Sequence, residues 1–115
     1  MTLFVVEKLV EDEFAGILKT KLVSAHRTFE AANEAKQKAK ENYEFKLKSY
    51  WDEWKGYSEL YKKNHGLPLP TEHAIRELLK PFLLKLTSDP DEVRNIERPA
   101  GLTIHFEVNP VELVD

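Results

Sequence analysis

The 115-residue sequence contains no cysteine, and it has no apolar run approaching the roughly 20 residues that a membrane-spanning helix needs. The missing thiols exclude disulfide scaffolds, thiol nucleophiles, cysteine-ligated zinc and iron–sulfur clusters. The N-terminus carries no secretory signal pattern, and the four glycines are too scattered to form a phosphate-cradling loop. We therefore expect a soluble, cytoplasmic protein that makes no contact with a membrane.

The usual motifs of enzymatic catalysis are also missing. Serine occurs in no GxSxG motif, which would expose it as a nucleophile on a tight turn. The carboxylates are numerous, but their spacing singles out no acid–base pair. We therefore expect a protein that is not an enzyme and that binds no cofactor.

Length and charge narrow the class of protein further. A chain of 115 residues has the usual size of one domain, so we predict a single domain over residues 1–115. Seventeen basic and 20 acidic residues give a net charge of −3, whereas nucleic-acid-binding domains are commonly basic or carry a clustered basic face. Only residues 28–63 contain more basic than acidic residues, with eight lysines and seven carboxylates.

Two segments near the start of the chain have the composition of β-strands. Residues 3–10 are rich in β-branched and aromatic side chains. In residues 17–25, Lys19 and Lys21 alternate with Leu18, Thr20 and Leu22, as is typical of a strand. The two segments are close enough in sequence to pair as an antiparallel hairpin.

A third strand is predicted further along the chain. Residues 102–108 alternate apolar with polar side chains, which is typical of a half-buried strand, and this alternation points His105 outward. Pro110 lacks a backbone N–H, so it either stops this strand or confines it to a sheet edge. Residues 111–114 have the composition of a short further strand.

The strongest periodic signal predicts a helix over residues 28–63. Its apolar residues recur at steps of three or four, close to the 3.6-residue helical repeat. They are Ala32, Ala35, Ala39, Tyr43, Leu47, Tyr50, Trp54, Tyr57 and Tyr61. Thr28 is a suitable N-cap, Gly56 is a point where the helix can bend or break, and Gly66 with Pro68 ends it.

A second helix is predicted over residues 71–87. Thr71 caps its start, and the dense spacing of leucines indicates that one face is well buried. Pro81 removes a backbone donor inside this helix, so we expect a kink there. Asp89 followed by Pro90 has the pattern of a cap and a first residue, which predicts one further short turn of helix.

The order of these elements predicts an α+β fold. The simplest way to bury the apolar faces together is a three-stranded antiparallel sheet, made of the hairpin and the C-terminal strand, with one face covered by the long helix and by the second, Pro-kinked helix. A helix of about 36 residues spans roughly 54 Å, so we expect part of its apolar face to project past so small a sheet.

The projecting part carries the candidate partner-binding residues, which are Tyr50, Trp51, Trp54, Tyr57 and Tyr61. Large aromatic side chains commonly dominate the contacts between proteins. They can equally pack inside the chain's own fold, so both interpretations stay open. On the first interpretation the chain is a non-enzymatic protein-interaction module, acting as a homodimer or as a small inhibitor or adaptor subunit.

Lysines on the long helix support an alternative function. Lys36, Lys40, Lys48 and Lys55 can contact phosphates, which would make the chain a nucleic-acid-binding accessory protein. Carboxylates are interspersed with them, and no arginine occurs in residues 28–63. The competing interpretation is therefore a solvated helix face of mixed charge.

A third alternative is a metal-dependent enzyme. His73 and Glu77 lie one helical turn apart, so both can reach one metal ion. The sequence has no HExxH pattern, and only the fold could bring His26, His65 or His105 close enough to be a third ligand. The competing interpretation is a polar helix face opposite the buried leucines.

Overall fold

The computed structural model describes residues 1–65, 72–99 and 102–114. Its elements, in chain order, are strand β1 (Thr2–Asp12), strand β2 (Gly16–His26), helix α1 (Phe29–His65), helix α2 (Glu72–Leu86), helix α3 (Pro90–Glu97) and strand β3 (Leu102–Glu112). The predicted α+β class is confirmed, with three antiparallel strands in one sheet and a long helix after the hairpin. The expected boundary residues Gly66, Pro68 and Thr71 lie outside the described residues.

The chain divides into two compact units. The sheet unit consists of Met1–Tyr43 and Arg98–Asp115, and the helical unit consists of Glu44–Glu97. Helix α1 contributes its first turns to the sheet unit and its remaining turns to the helical unit.

Strand β1 is the centre of the sheet, which has the order β2-β1-β3 with both pairs antiparallel. Its pairing with β3 keeps one register along the whole of β1. Pro110 lies within β3, opposite Phe4, and β3 is an edge strand. The edge interpretation of Pro110 is therefore confirmed, because a residue without an N–H is tolerated where no further strand needs that donor.

The pairing of β1 with β2 is interrupted twice. At each interruption β2 holds one extra residue. This residue is Leu18 opposite the step from Val10 to Glu11, and Val23 opposite the step from Val6 to Glu7. Such β-bulges bend a strand and change the direction of its side chains. Ile17 and Leu22 are five residues apart and would lie on opposite faces of a regular strand. The bulge at Leu18 places them on the same face, each opposite a glutamate of β1.

Asp12 and Gly16 shape the connection between β1 and β2. The Oδ1 atom of Asp12 accepts hydrogen bonds from the backbone N–H groups of Phe14 and Ala15, at 2.8 and 2.9 Å. Gly16 has a φ of 77°, in the left-handed region that side chains with a Cβ disfavour. The chain therefore turns tightly before β2 begins.

The sheet packs against the start of α1 within the sheet unit. The rings of Phe4 and Phe29 meet edge to face, with centroids 6.0 Å apart and planes 77° apart. Thr28 caps the helix as predicted, because the N–H of Ala31 donates to its hydroxyl oxygen at 3.2 Å. Ala32, in the first turn, is fully buried.

Helix α1 is continuous from Phe29 to His65 and passes through Gly56 without a break. The predicted weak point therefore does not divide the helix. A Cβ added at Gly56 would meet no atom of the described residues within 4 Å, so none of them approaches this glycine closely. A glycine inside a helix costs about 1 kcal/mol of stability relative to alanine, which is small beside the stability that packing of the surrounding turns provides.

The helical unit has its own apolar core, built from one face of each helix. Its buried members are Tyr50, Ile75, Leu79, Leu83 and Ile96. Helix α2 continues through Pro81 to Leu86. The predicted short helix after Asp89 is present as α3, and the Asp89 carboxylate caps it by accepting from the N–H of Asp91 at 2.9 Å.

Candidate functional site

Tyr50 belongs to the core of the helical unit and not to an exposed surface. Its exposed fraction is 0%, which corrects the expectation that it contacts a partner. Among the described residues, its hydroxyl has no hydrogen-bond partner. Burial raises the pKa of this hydroxyl to about 12, with a further contribution from the negative charge of Glu97 and an opposing one from Arg76. A group this deeply packed serves stability.

Trp51 and Trp54 are half-buried against the same core. The indole N–H of Trp51 donates to the carbonyl oxygen of Ile96 at 3.1 Å, which ties α1 to the last turn of α3. The rings of Trp51 and Tyr50 meet edge to face, with centroids 5.2 Å apart. The centroids of the Trp51 and Trp54 rings are 5.1 Å apart. Trp51 is thus engaged by its own fold, although part of its ring stays accessible.

Tyr57 and Tyr61 lie one helical turn further along α1. Their rings are stacked, with centroids 6.4 Å apart, and both are half-buried. Leu60, between them in sequence, is exposed. Among the five predicted partner-binding residues, Tyr57, Tyr61 and part of each tryptophan reach the surface.

The candidate phosphate-binding lysines form no exclusively basic face. Lys40, Lys48 and Lys55 are exposed and Lys36 is half-buried. The ammonium group of Lys48 lies 2.7 Å from the carboxylate of Asp52, and this hydrogen bond raises the pKa of Lys48, with their charge attraction adding to it. This contact fits the interpretation of a solvated helix face of mixed charge.

The candidate metal ligands His73 and Glu77 are both exposed on α2. Among the side chains that the structure describes, no three histidine or acidic groups are placed so that they could hold a metal ion together. His26 contacts the Ser24 hydroxyl, and His105 lies 3.2 Å from the carboxylate of Glu11. These two histidines have their own polar partners in the sheet unit.

The structure also contains an exposed apolar surface that the sequence analysis missed. We call it the β2 apolar surface; it consists of Ile17, Leu18, Leu22 and Val23, with exposed fractions of 58, 54, 61 and 46%. Every residue from Ile17 to Val23 is exposed. Successive side chains of a strand point to opposite faces, so side chains on both faces of this stretch are exposed.

The sequence pattern of β2 concealed this exposure. Its lysines alternate with less polar residues, a pattern that is typical of a strand with one buried face. Burial of one face needs an unbroken alternation and a covering layer. The two bulges remove the first condition, and exposure on both faces removes the second. No local signal distinguished β2 from a covered strand.

The charges around the sheet are uneven. Strand β2 has no carboxylate, whereas Glu7 of β1 lies directly opposite Glu107 of β3. Like charges placed in this way weaken a strand pair slightly. The amide of Asn109 donates to Glu7 at 3.1 Å, which offsets part of that cost. The carboxylates of the sheet are therefore carried by β1 and β3, and none by β2.

A pocket of about 320 Å³ lies beside the hairpin turn and is lined by Glu11, Asp12, Glu13, Gly16 and Thr103. Two of its carboxylates already serve the fold, because Asp12 holds the turn and Glu11 faces His105. The pocket is thus an acidic recess at the end of the sheet.

Comparison of the chain with protein-family models, with curated proteins and with solved structures found no match in any of the three. Among the helices that the structure describes, none combines the length and the apolar character needed to cross a membrane.

Proposed function

We propose that this chain is a soluble, non-enzymatic protein-interaction module that self-associates as a homodimer. The observation that carries the proposal is the β2 apolar surface, in which four large apolar side chains stand exposed on an edge strand. An edge strand presents unpaired backbone groups that can pair with another chain. Apolar side chains beside those groups make such pairing more favourable, because their contact with water is removed at the same time.

A second surface adds to the proposal. Tyr57 and Tyr61 are stacked and half-buried near the end of α1, with the exposed Leu60 beside them. Tyrosine and leucine of this kind can take part in a contact without giving up their packing within the helix. If the chain is a small inhibitor or adaptor subunit, this surface is available for a second protein while β2 serves self-association.

The proposal places the module in the cytoplasm, in keeping with a chain that has no cysteine. Nucleic-acid binding through the α1 lysines has less support, because Lys48 and Lys38 each lie within 4.0 Å of a carboxylate one helical turn away. A lysine whose positive charge is offset by a nearby carboxylate attracts phosphates less strongly.

Size-exclusion chromatography with light scattering tests the proposed self-association. At high micromolar concentration we expect a mass of twice the 13.4 kDa of the chain. A monomer at every concentration would overturn the proposed homodimer. Leu18→Lys should shift the equilibrium toward the monomer, because it places a charge in the β2 apolar surface.

Leu78→Lys is the matched control for that variant. Leu78 lies on α2 and is 56% exposed, so the same substitution there changes the same residue type at nearly equal exposure outside the sheet. We expect it to leave the dimer intact. Equal loss of dimer in both variants would show that added charge alone, and not β2, governs association.

A further inference from the structure

We infer that the second copy pairs through β2 itself, with the two β2 strands antiparallel around a two-fold axis at Leu22. Two three-stranded sheets would then join into one sheet of six strands. This inference rests on the proposed self-association and adds to it the contact surface and the register.

The two edges of the sheet are not equally suited to such pairing. Strand β3 carries Pro110, which has no N–H to donate to a neighbouring strand. Strand β2 contains no proline over Gly16–His26 and is exposed at every residue from Ile17 to Val23. Of the two, β2 is therefore the edge that can accept another strand, which has to accommodate the β-bulges at Leu18 and Val23.

A second β2 is a better occupant than the β3 edge of another copy. Pairing of β2 with β3 of the next molecule repeats at each free edge and gives an open-ended assembly. It would also have to accommodate Pro110. Pairing of β2 with β2 uses the same edge of both copies, so it closes at a dimer and leaves only the proline-bearing edges outside.

The side chains of β2 select the register of this pairing. With the axis at Leu22, Leu22 lies opposite its counterpart. Because Val23 is the extra residue of a β-bulge, the residues that share a face are Lys21 opposite Ser24, Thr20 opposite Ala25 and Lys19 opposite His26 of the second copy. No lysine then faces a lysine.

Neighbouring registers are less favourable for a physical reason. An axis at Lys21 sets that lysine opposite itself, and an axis at Thr20 sets Lys19 opposite Lys21 twice. Like charges directly opposite each other destabilise a strand pair. The Leu22 axis avoids both arrangements and puts an exposed leucine of each copy at the centre of the contact.

The absence of cysteine makes the register directly measurable, because one introduced cysteine is the only thiol in the chain. Residues directly opposite each other in an antiparallel pair have Cβ atoms about 4.5–5.5 Å apart, close to the separation that a disulfide spans. Under mild oxidation we expect Leu22→Cys to form a covalent dimer that a reducing agent reverses. Thr103→Cys, exposed on β3, is the control and should stay monomeric on a denaturing gel.

A mixing experiment tests the register more strictly. Chains carrying Thr20→Cys should not cross-link with each other, since the two sites lie on opposite sides of the axis. Mixed with chains carrying Ala25→Cys, they should give the covalent heterodimer. Circular dichroism of each reduced variant checks that the fold is kept.

The outcomes separate this inference from the proposed function. A dimer by light scattering in which L22C fails to cross-link, or T103C cross-links equally well, overturns pairing through β2 while self-association stands. A monomeric wild-type chain overturns both. Cross-linking of T20C with itself but not with A25C would disprove the Leu22 register.

Discussion

The indole N–H of Trp51 in α1 donates to the backbone carbonyl of Ile96, the residue of α3 whose side chain is fully buried. Trp51→Phe keeps an aromatic ring at this position but removes the donor. We expect it to lower the free energy of unfolding by about 1–2 kcal/mol, because a partly buried carbonyl loses its partner.

Urea denaturation followed by circular dichroism measures this change. Trp54→Phe is the comparison, since it alters the adjoining ring of the same cluster without touching the Trp51–Ile96 hydrogen bond. We expect the smaller effect for Trp54. If the two variants lose equal stability, ring packing and not the hydrogen bond accounts for the role of Trp51.

The two described glycines should respond to alanine in opposite directions. Gly16 has a φ of 77°, so Gly16→Ala should destabilise the chain by roughly 1–2 kcal/mol. Gly56 is helical, and an added Cβ would meet nothing within 4 Å, so Gly56→Ala should stabilise it by about 1 kcal/mol. Thermal unfolding of both variants under one set of conditions gives the signs. A stabilising effect at Gly16 would be inconsistent with the turn described for the hairpin.

The buried hydroxyl of Tyr50 should make the chain sensitive to alkaline pH. Its pKa is raised to about 12 in the folded chain, against about 10 when unfolded. The folded chain therefore holds this proton more tightly, so its contribution to stability is complete below pH 10 and is lost as the pH rises through 12.

Tyr50→Phe removes that titration and also removes a buried hydroxyl that has no partner among the described residues. At neutral pH we expect the variant to be as stable as the wild type or slightly more so. Absorbance titration of tyrosinate should show one late-titrating group fewer in the variant than in the wild type. Identical titration curves would argue against burial of this hydroxyl.

The ion pair of Lys46 with Glu92 should matter more than those on the surface of α1. Lys46 Nζ lies 3.0 Å from Glu92 Oε1, and the Glu92 side chain is only 9% exposed. Lys46→Met leaves a largely buried carboxylate without this cation, which should cost about 2–3 kcal/mol after allowance for the partial exposure of the lysine.

The joint variant Lys46→Met with Glu92→Leu provides the second half of this test. Replacing both charges by apolar groups removes the unpaired carboxylate, so most of the lost stability should return. A double-mutant cycle in urea measures the coupling energy between the two positions. Additive losses would mean that the pair contributes nothing beyond its separate side chains.

Local patterns in the sequence were sufficient for the elements of the fold. The spacing of apolar residues predicted α1 to within two residues of either end, and Thr28 was recognised as its cap because capping depends on neighbours in sequence. The missing N–H of Pro110 left two interpretations, the end of the strand or a sheet edge, and the structure shows an edge strand that continues through it.

The candidate site was less predictable from the sequence. The stripe containing Tyr50 and Tyr61 has one helical period throughout, yet Tyr50 is buried and Tyr61 is half-buried. Periodicity gives the side of a helix on which a residue lies, and it does not give the length over which another element covers that side. Leu22 shows the same limit in a strand, where a bulge changes the face.

The sequence by itself determined which segments become helices and strands, because backbone preference, capping and side-chain period act between near neighbours. Tertiary structure alone decided that Tyr50 is enclosed and that the β2 apolar surface is open. Burial depends on contacts between residues far apart in the chain, and those contacts exist only after the strands have paired and the helices have packed.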